Sequence, residues 1–117
     1  MITPWTRLTW FLCQTNVKGT MLAIKAFVPT ANPSHATVLG VTTGTVALPP
    51  AMLSGLSAYM SSKLAQETLI EFFALEQPNM FAATVHPGMV ETAVFTKSGA
   101  KAEALPMDKG WLLFLIH

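Results

Sequence analysis

The chain has 117 residues, with seven Lys plus Arg against six Asp plus Glu, and 51% of it is hydrophobic. That length suits one domain or a piece of one. A net charge of +1 with only 11% charged residues excludes the clustered cations of a nucleic-acid surface and the composition of a disordered chain.

One cysteine, Cys13, allows neither an intramolecular disulfide nor a multi-cysteine zinc site, so a cytoplasmic location is expected. The longest run of large apolar residues is six, at 111–116, far short of the roughly 20 that a membrane helix needs. The first residues lack the basic start and apolar core of a signal peptide. So much apolar surface in so few residues points to a missing partner or a missing part of the fold.

The first predicted element is a helix over residues 4–28. Thr3 can cap it, and Pro4 fits the first helical position, where its missing N–H costs nothing. Leu8, Leu12, Asn16, Thr20, Ala23 and Phe27 follow helical spacing, and Pro29 closes the segment. Gly19 weakens it unless another backbone approaches closely there. After a turn at Asn32-Pro33-Ser34, residues 36–42 form a short apolar run suited to a buried strand. A Gly/Pro-rich loop covers 43–56. A second helix is expected over 57–77, with Ser57 as N-cap and Pro78 as stop, and its broad apolar set should be buried on more than one side. A second strand is expected over 80–85 and a short final helix over 108–116.

Helix, strand, helix, strand in that order indicates α/β architecture with a parallel sheet covered by helices. Two strands are too few for a whole sheet of that kind, so 1–117 reads as a single partial domain, half of a doubly wound fold. In such sheets ligands bind beyond the carboxyl ends of the strands. Thr42-Thr43-Gly44 follows the first strand and His86-Pro87-Gly88 the second, while Tyr59 begins the crossover helix. A crossover connection should bring all three to one sheet edge.

Tyr59 and Lys63 are four apart and share a helix face. An ammonium beside a phenol favours the phenolate, which would suit Tyr59 to acid/base work. The plainer alternative is a surface tyrosine with a solvated lysine. Asn16 is a polar residue on the apolar stripe of the first helix, so it is expected to be mostly buried, and its amide must find partners there or serve a site. His35 sits in a turn, His86 has no partners at metal-ligand spacing, and Cys13 has no activating base.

Together, Asn16-Val17-Lys18-Gly19, Val41-Thr42-Thr43-Gly44, Ser57-Ala58-Tyr59-Met60-Ser61-Ser62-Lys63 and His86-Pro87-Gly88-Met89-Val90-Glu91-Thr92 resemble the short-chain dehydrogenase/reductase family. The resemblance covers roughly residues 5–97, and 98–117 is a poorly matched tail. It implies a partial Rossmann-like sheet and an oxidoreductase passing hydride between NAD(P), NADP for preference, and a small carbonyl or alcohol substrate. Tyr59 resembles the family's acid/base, and Lys63 the lysine that favours the tyrosinate and holds the nicotinamide ribose. Asn16 resembles the asparagine that orders a relay water. Thr43, ahead of Thr42, falls where a serine usually bonds the substrate oxygen. Pro87, Gly88, Val90 and Thr92 resemble the segment that meets the nicotinamide carboxamide.

The family's Gly-rich dinucleotide loop has no counterpart, because no Gly-x-x-x-Gly-x-Gly occurs in the chain. The catalytic half is therefore expected without most of the cofactor half. A second function follows from that: a non-catalytic remnant whose two long helices pair with another copy or a related subunit, as they commonly do in this family.

Overall fold

The computed structural model describes residues 4–87 and 113–115. Pro4 opens a helical path that continues to Phe27, divided into α1 (Pro4–Cys13), a π-helical turn (Gln14–Lys18) and α2 (Gly19–Phe27). The backbone stays right-handed through the junctions, and the Gly19 N–H reaches back five residues to the Gln14 carbonyl. Among the described residues no second backbone crowds Gly19, since a Cβ there would meet only the Gln14 carbonyl oxygen at 3.7 Å. No such approach offsets the weakening expected of this glycine, and a π turn occupies the stretch just before it. Pro29 tightens the path into a 3-10 turn, Val28–Thr30, just beyond the end of α2. Thr3 lies outside the described residues.

The side-chain carbonyl of Asn32 accepts the Ser34 N–H at 2.9 Å, a local bond that turns the chain toward the sheet. Strand β1 (Thr37–Val41) then pairs in parallel with β2 (Phe81–His86), Thr37 opposite Phe81 and Val41 opposite Val85. A third strand, β3 (Leu113–Leu115), runs antiparallel to β2, giving the order β1-β2-β3. The sheet is thus mixed. The helix expected over 108–116 is corrected for 113–115. Short apolar runs do not reveal their period, and pairing with β2 decides the matter; the rest of that span lies outside the described residues.

Helix α3 (Ser57–Glu76) crosses from β1 to β2 and packs on α1 and the π turn as well as on both strands. Its buried positions are Ala58, Met60, Ser62, Glu67 and Ile70, whereas Leu64, Phe72 and Leu75 remain exposed. Burial on two sides is thus seen, but it leaves those three residues out. Ser57 is not the N-cap. That position belongs to Leu56, with no side-chain cap, and Ser57 Oγ instead accepts the Trp5 Nε1–H at 2.6 Å, which ties α1 to the first turn of α3.

Gly40, mid-strand in β1, is where α3 comes closest to the sheet: any Cβ there would run into the Ile70 side chain. Ile70, Met60 and Val85 are the buried apolar residues larger than alanine among those described, and Ala36, Ala58, Ala82 and Ala83 complete the core.

Candidate functional site

In a parallel pair, alternate residues bond to the neighbouring strand. The Ala36 carbonyl accepts the Phe81 N–H and the Thr42 N–H donates to the Val85 carbonyl, so even-numbered residues of β1 face β2. Thr37, Leu39 and Val41 consequently aim their backbone groups away from β2, at an edge that no described strand pairs with. Lys63 reaches that edge: its ammonium donates to the Val41 carbonyl at 2.9 Å and to Gln66 Oε1 at 3.1 Å. Burial lowers the Lys63 pKa from its ordinary 10.5. Lys63 is thus half-buried and tethered to the strand edge rather than free of protein partners.

Tyr59, half-buried, lies one turn before Lys63. The ammonium points to β1 and Gln66, and no hydrogen bond joins the Tyr59 hydroxyl to Lys63 or to any other described residue. The backbone carbonyl of Tyr59 accepts from Ser62 Oγ at 2.8 Å, and Ser62 accepts from Asn16 Nδ2 at 3.0 Å. Asn16 is half-buried rather than mostly buried, and it sits inside the π turn. Its own backbone carbonyl accepts from Thr20 Oγ1 at 2.7 Å, while Thr20 Oγ1 accepts from Gln66 Nε2 at 2.9 Å. Two strings of hydrogen bonds thus join Asn16 to α3, one ending at Tyr59 and the other at Lys63. π-helical turns occur often at functional sites.

The strand-end residues meet the start of α3. Thr42 is buried and its hydroxyl donates to Glu67 at 3.1 Å, which turns it away from the loop. Thr43 is half-buried, with its hydroxyl 2.8 Å from that of Thr45. Thr45 Oγ1 donates to the Met60 sulfur at 3.1 Å, so the Thr43 hydroxyl is the donor within the pair. Sulfur accepts weakly, leaving both protons free to reorient toward a better acceptor. Gly44 lies flat against the His86 ring, where any side chain would collide. His86 Nδ1 is buried with no hydrogen-bond partner among the described residues, as is Thr84 Oγ1. Pro87 follows His86 directly, so the loop after β1, the first turn of α3 and the end of β2 gather at one sheet edge. Gly88, Val90 and Thr92 lie outside the described residues.

Sequence reasoning missed Gln66, Thr20 and Ser62 as members of this web. Gln66 is three residues beyond Lys63 and Thr20 four beyond Asn16, spacings that share a helix face, but neither spacing reveals which helix lies opposite. His35 is exposed in its turn and Cys13 is half-buried. No group of three metal-ligating side chains occurs among the described residues, and no helix there is long and apolar enough to cross a membrane.

A groove of about 410 Å³ between α2 and α3 is lined by Met21, Ile24, Lys25, Leu69, Phe72, Phe73 and Glu76. None of the described candidate-site residues lines it.

No family model matches the chain, and searches of curated proteins and of solved structures return no match. The family resemblance rests on the residues quoted above.

Proposed function

We propose that the chain carries the acid/base half of a hydride-transfer site of the short-chain dehydrogenase/reductase type, on a single partial Rossmann-like domain in the cytoplasm. The observation that carries the reading is the placement of Lys63. It sits one turn from Tyr59, over the carboxyl end of β1, with two N–H groups fixed by Val41 and Gln66. The third N–H is without a partner among the described residues and suits a ribose hydroxyl.

In this reading Tyr59 moves the proton, Thr43 steadies the substrate oxygen and Asn16 anchors the web behind them. Pro87, with Gly88, Val90 and Thr92, would meet the carboxamide of NAD(P), NADP for preference. The cofactor would supply the hydride to a small carbonyl, or accept it from an alcohol. The chain has no Gly-rich loop to hold a pyrophosphate, so protein contacts would be confined to the nicotinamide end and binding would be weak.

Positioning of the reacting carbon supplies much of a rate enhancement, whereas acid/base help is typically worth about 10² to 10⁴. We therefore expect the purified chain to be a poor or inactive reductase. Calorimetric titration with NADPH and NADH tests the reading. Saturable binding supports it, and no binding up to millimolar cofactor counts against it. Brisk carbonyl reduction lost in Tyr59→Phe would refute the expected inactivity and assign Tyr59 at once.

A second reading is a non-catalytic module that binds another subunit through its helices. It draws on exposed Trp10, Phe11, Phe72 and Leu75, which are 58% to 77% accessible.

A further inference from the structure

We propose that Gln66 and Thr20 are positioning residues for Lys63, holding its ammonium over the end of β1 by a tether to the Asn16 backbone. This deepens the function proposed above and rests on it only for its consequence, since the tether is a matter of geometry. Its direction is forced at each link. An ammonium can only donate, so the Gln66 side chain must turn its oxygen to Lys63 and its NH₂ to Thr20. The Thr20 hydroxyl accepts that bond and donates its own proton to the Asn16 carbonyl, which can only accept. Donor and acceptor thus alternate from Lys63 to Asn16 with separations of 3.1, 2.9 and 2.7 Å. Each bond polarises the next in the same sense.

The tether has a mechanical role. Lysine carries a point charge on a flexible four-carbon stem, and one bond to Val41 leaves that stem free to swing. Gln66 provides the second fixed point, and Thr20 keeps the Gln66 amide from rotating. Thr20, one turn on from Asn16, reaches its carbonyl in the manner usual for a helical threonine, as Thr9 reaches Trp5. The groups within hydrogen-bond reach of the ammonium, Val41 and Gln66, are neutral; Tyr59 and Glu67 lie one turn to either side on α3, and Thr20 and Asn16 face it from the first helical segment.

Side-chain labelling of lysine with ¹³Cε and ¹⁵Nζ, assigned through Lys63→Arg, lets Lys63 be titrated by NMR in the intact chain. Gln66→Leu removes an acceptor from the charged form, so the Lys63 midpoint should fall below that of wild type. Gln66→Glu keeps an acceptor of the same reach and adds charge, so the midpoint should rise. Thr20→Val should give a smaller fall. Should Gln66→Leu fail to fold, the near-isosteric Gln66→Glu and Thr20→Val decide the matter. An unchanged Lys63 midpoint and unchanged Cε shifts in the folded variants overturn the proposal. Where wild type binds NADPH, Gln66→Leu should weaken it about twofold to tenfold, the worth of one net hydrogen bond. If wild type binds no cofactor, the function reading fails while the NMR titration still decides the tether.

Discussion

Lys63 shows how one side chain can belong to the fold and to a proposed site at once. Its stem crosses from α3 to the edge of β1 away from β2, and its ammonium gives a partner to a backbone carbonyl that β2 does not use. Burial lowers its pKa from 10.5, and this has a consequence for stability. The folded chain gives up the proton at lower pH than the unfolded chain, so between the depressed value and 10.5 the unfolded state binds more protons. Unfolding free energy therefore climbs with pH across that window, and the cost of the buried charge is fully present below it. Lys63→Met should lose that part of the climb, as read from urea unfolding at a series of pH values; parallel curves for the two proteins would contradict it.

Gly19 gives a second residue-level prediction. An added methyl meets only the Gln14 carbonyl oxygen at ordinary contact distance, so Gly19→Ala should stabilise the chain by about 0.5–1 kcal/mol, visible as a raised midpoint of thermal unfolding. The placement of Tyr59 and Lys63 one turn apart on a single helix was legible in the sequence, because a spacing of four is local geometry. The bonds from Gln66 to Thr20 and from Asn16 to Ser62 span 46 positions each, and only the docking of α3 on the first helical segment creates them.

At the scale of elements, punctuation residues wrote the boundaries most clearly. Pro4 and Pro78 bracket helices whose ends fall within a residue or two of expectation, and the parallel pairing of β1 with β2 follows from the helix between them. The π turn has no local signature to read. The third strand is three residues long and depends on β2 for its hydrogen bonds. Gly40 shows why a close approach is hard to place from sequence. A glycine inside a strand signals a close approach, but its partner, Ile70, lies 30 positions further along the chain.

That contact sets the separation of α3 from the sheet, and with it the height of Tyr59 and Lys63 above the strand ends. Gly40→Val should destabilise by about 1–3 kcal/mol through overpacking, and Ile70→Ala by about 2–5 kcal/mol through the cavity it leaves. Because the two residues share one space, the valine should cost less when Ile70 is already alanine. A double-mutant cycle by chemical denaturation reads the coupling, and strict additivity would show that the two side chains do not compete.

For the whole molecule, the balance between buried and exposed apolar groups is the governing fact. Four of the seven buried apolar residues described are alanines, whereas Trp5, Leu8, Trp10, Phe11, Met21 and Leu22 of the first helical segment are all more than half accessible. Phe72 and Leu75 continue the exposure along α3, at 58% and 77%. Scattered single apolar residues on a surface need no explanation, but side chains this large recurring along two neighbouring helices favour contact with another apolar surface. Burial of that kind is worth roughly 25 cal/mol per Å² before the entropy of association is counted. The chain should therefore self-associate, with an average mass that rises between low and high micromolar concentration in sedimentation equilibrium. Replacing Trp10 and Leu75 by lysine adds charge where no described core residue is disturbed, so the doubly substituted chain should keep its circular dichroism spectrum and shift toward monomer. A wild-type chain that stays monomeric across that range would remove the case for a helix-mediated partner. The hydrogen-bond web around Lys63 would remain in place under either outcome, because none of its members belongs to this exposed set.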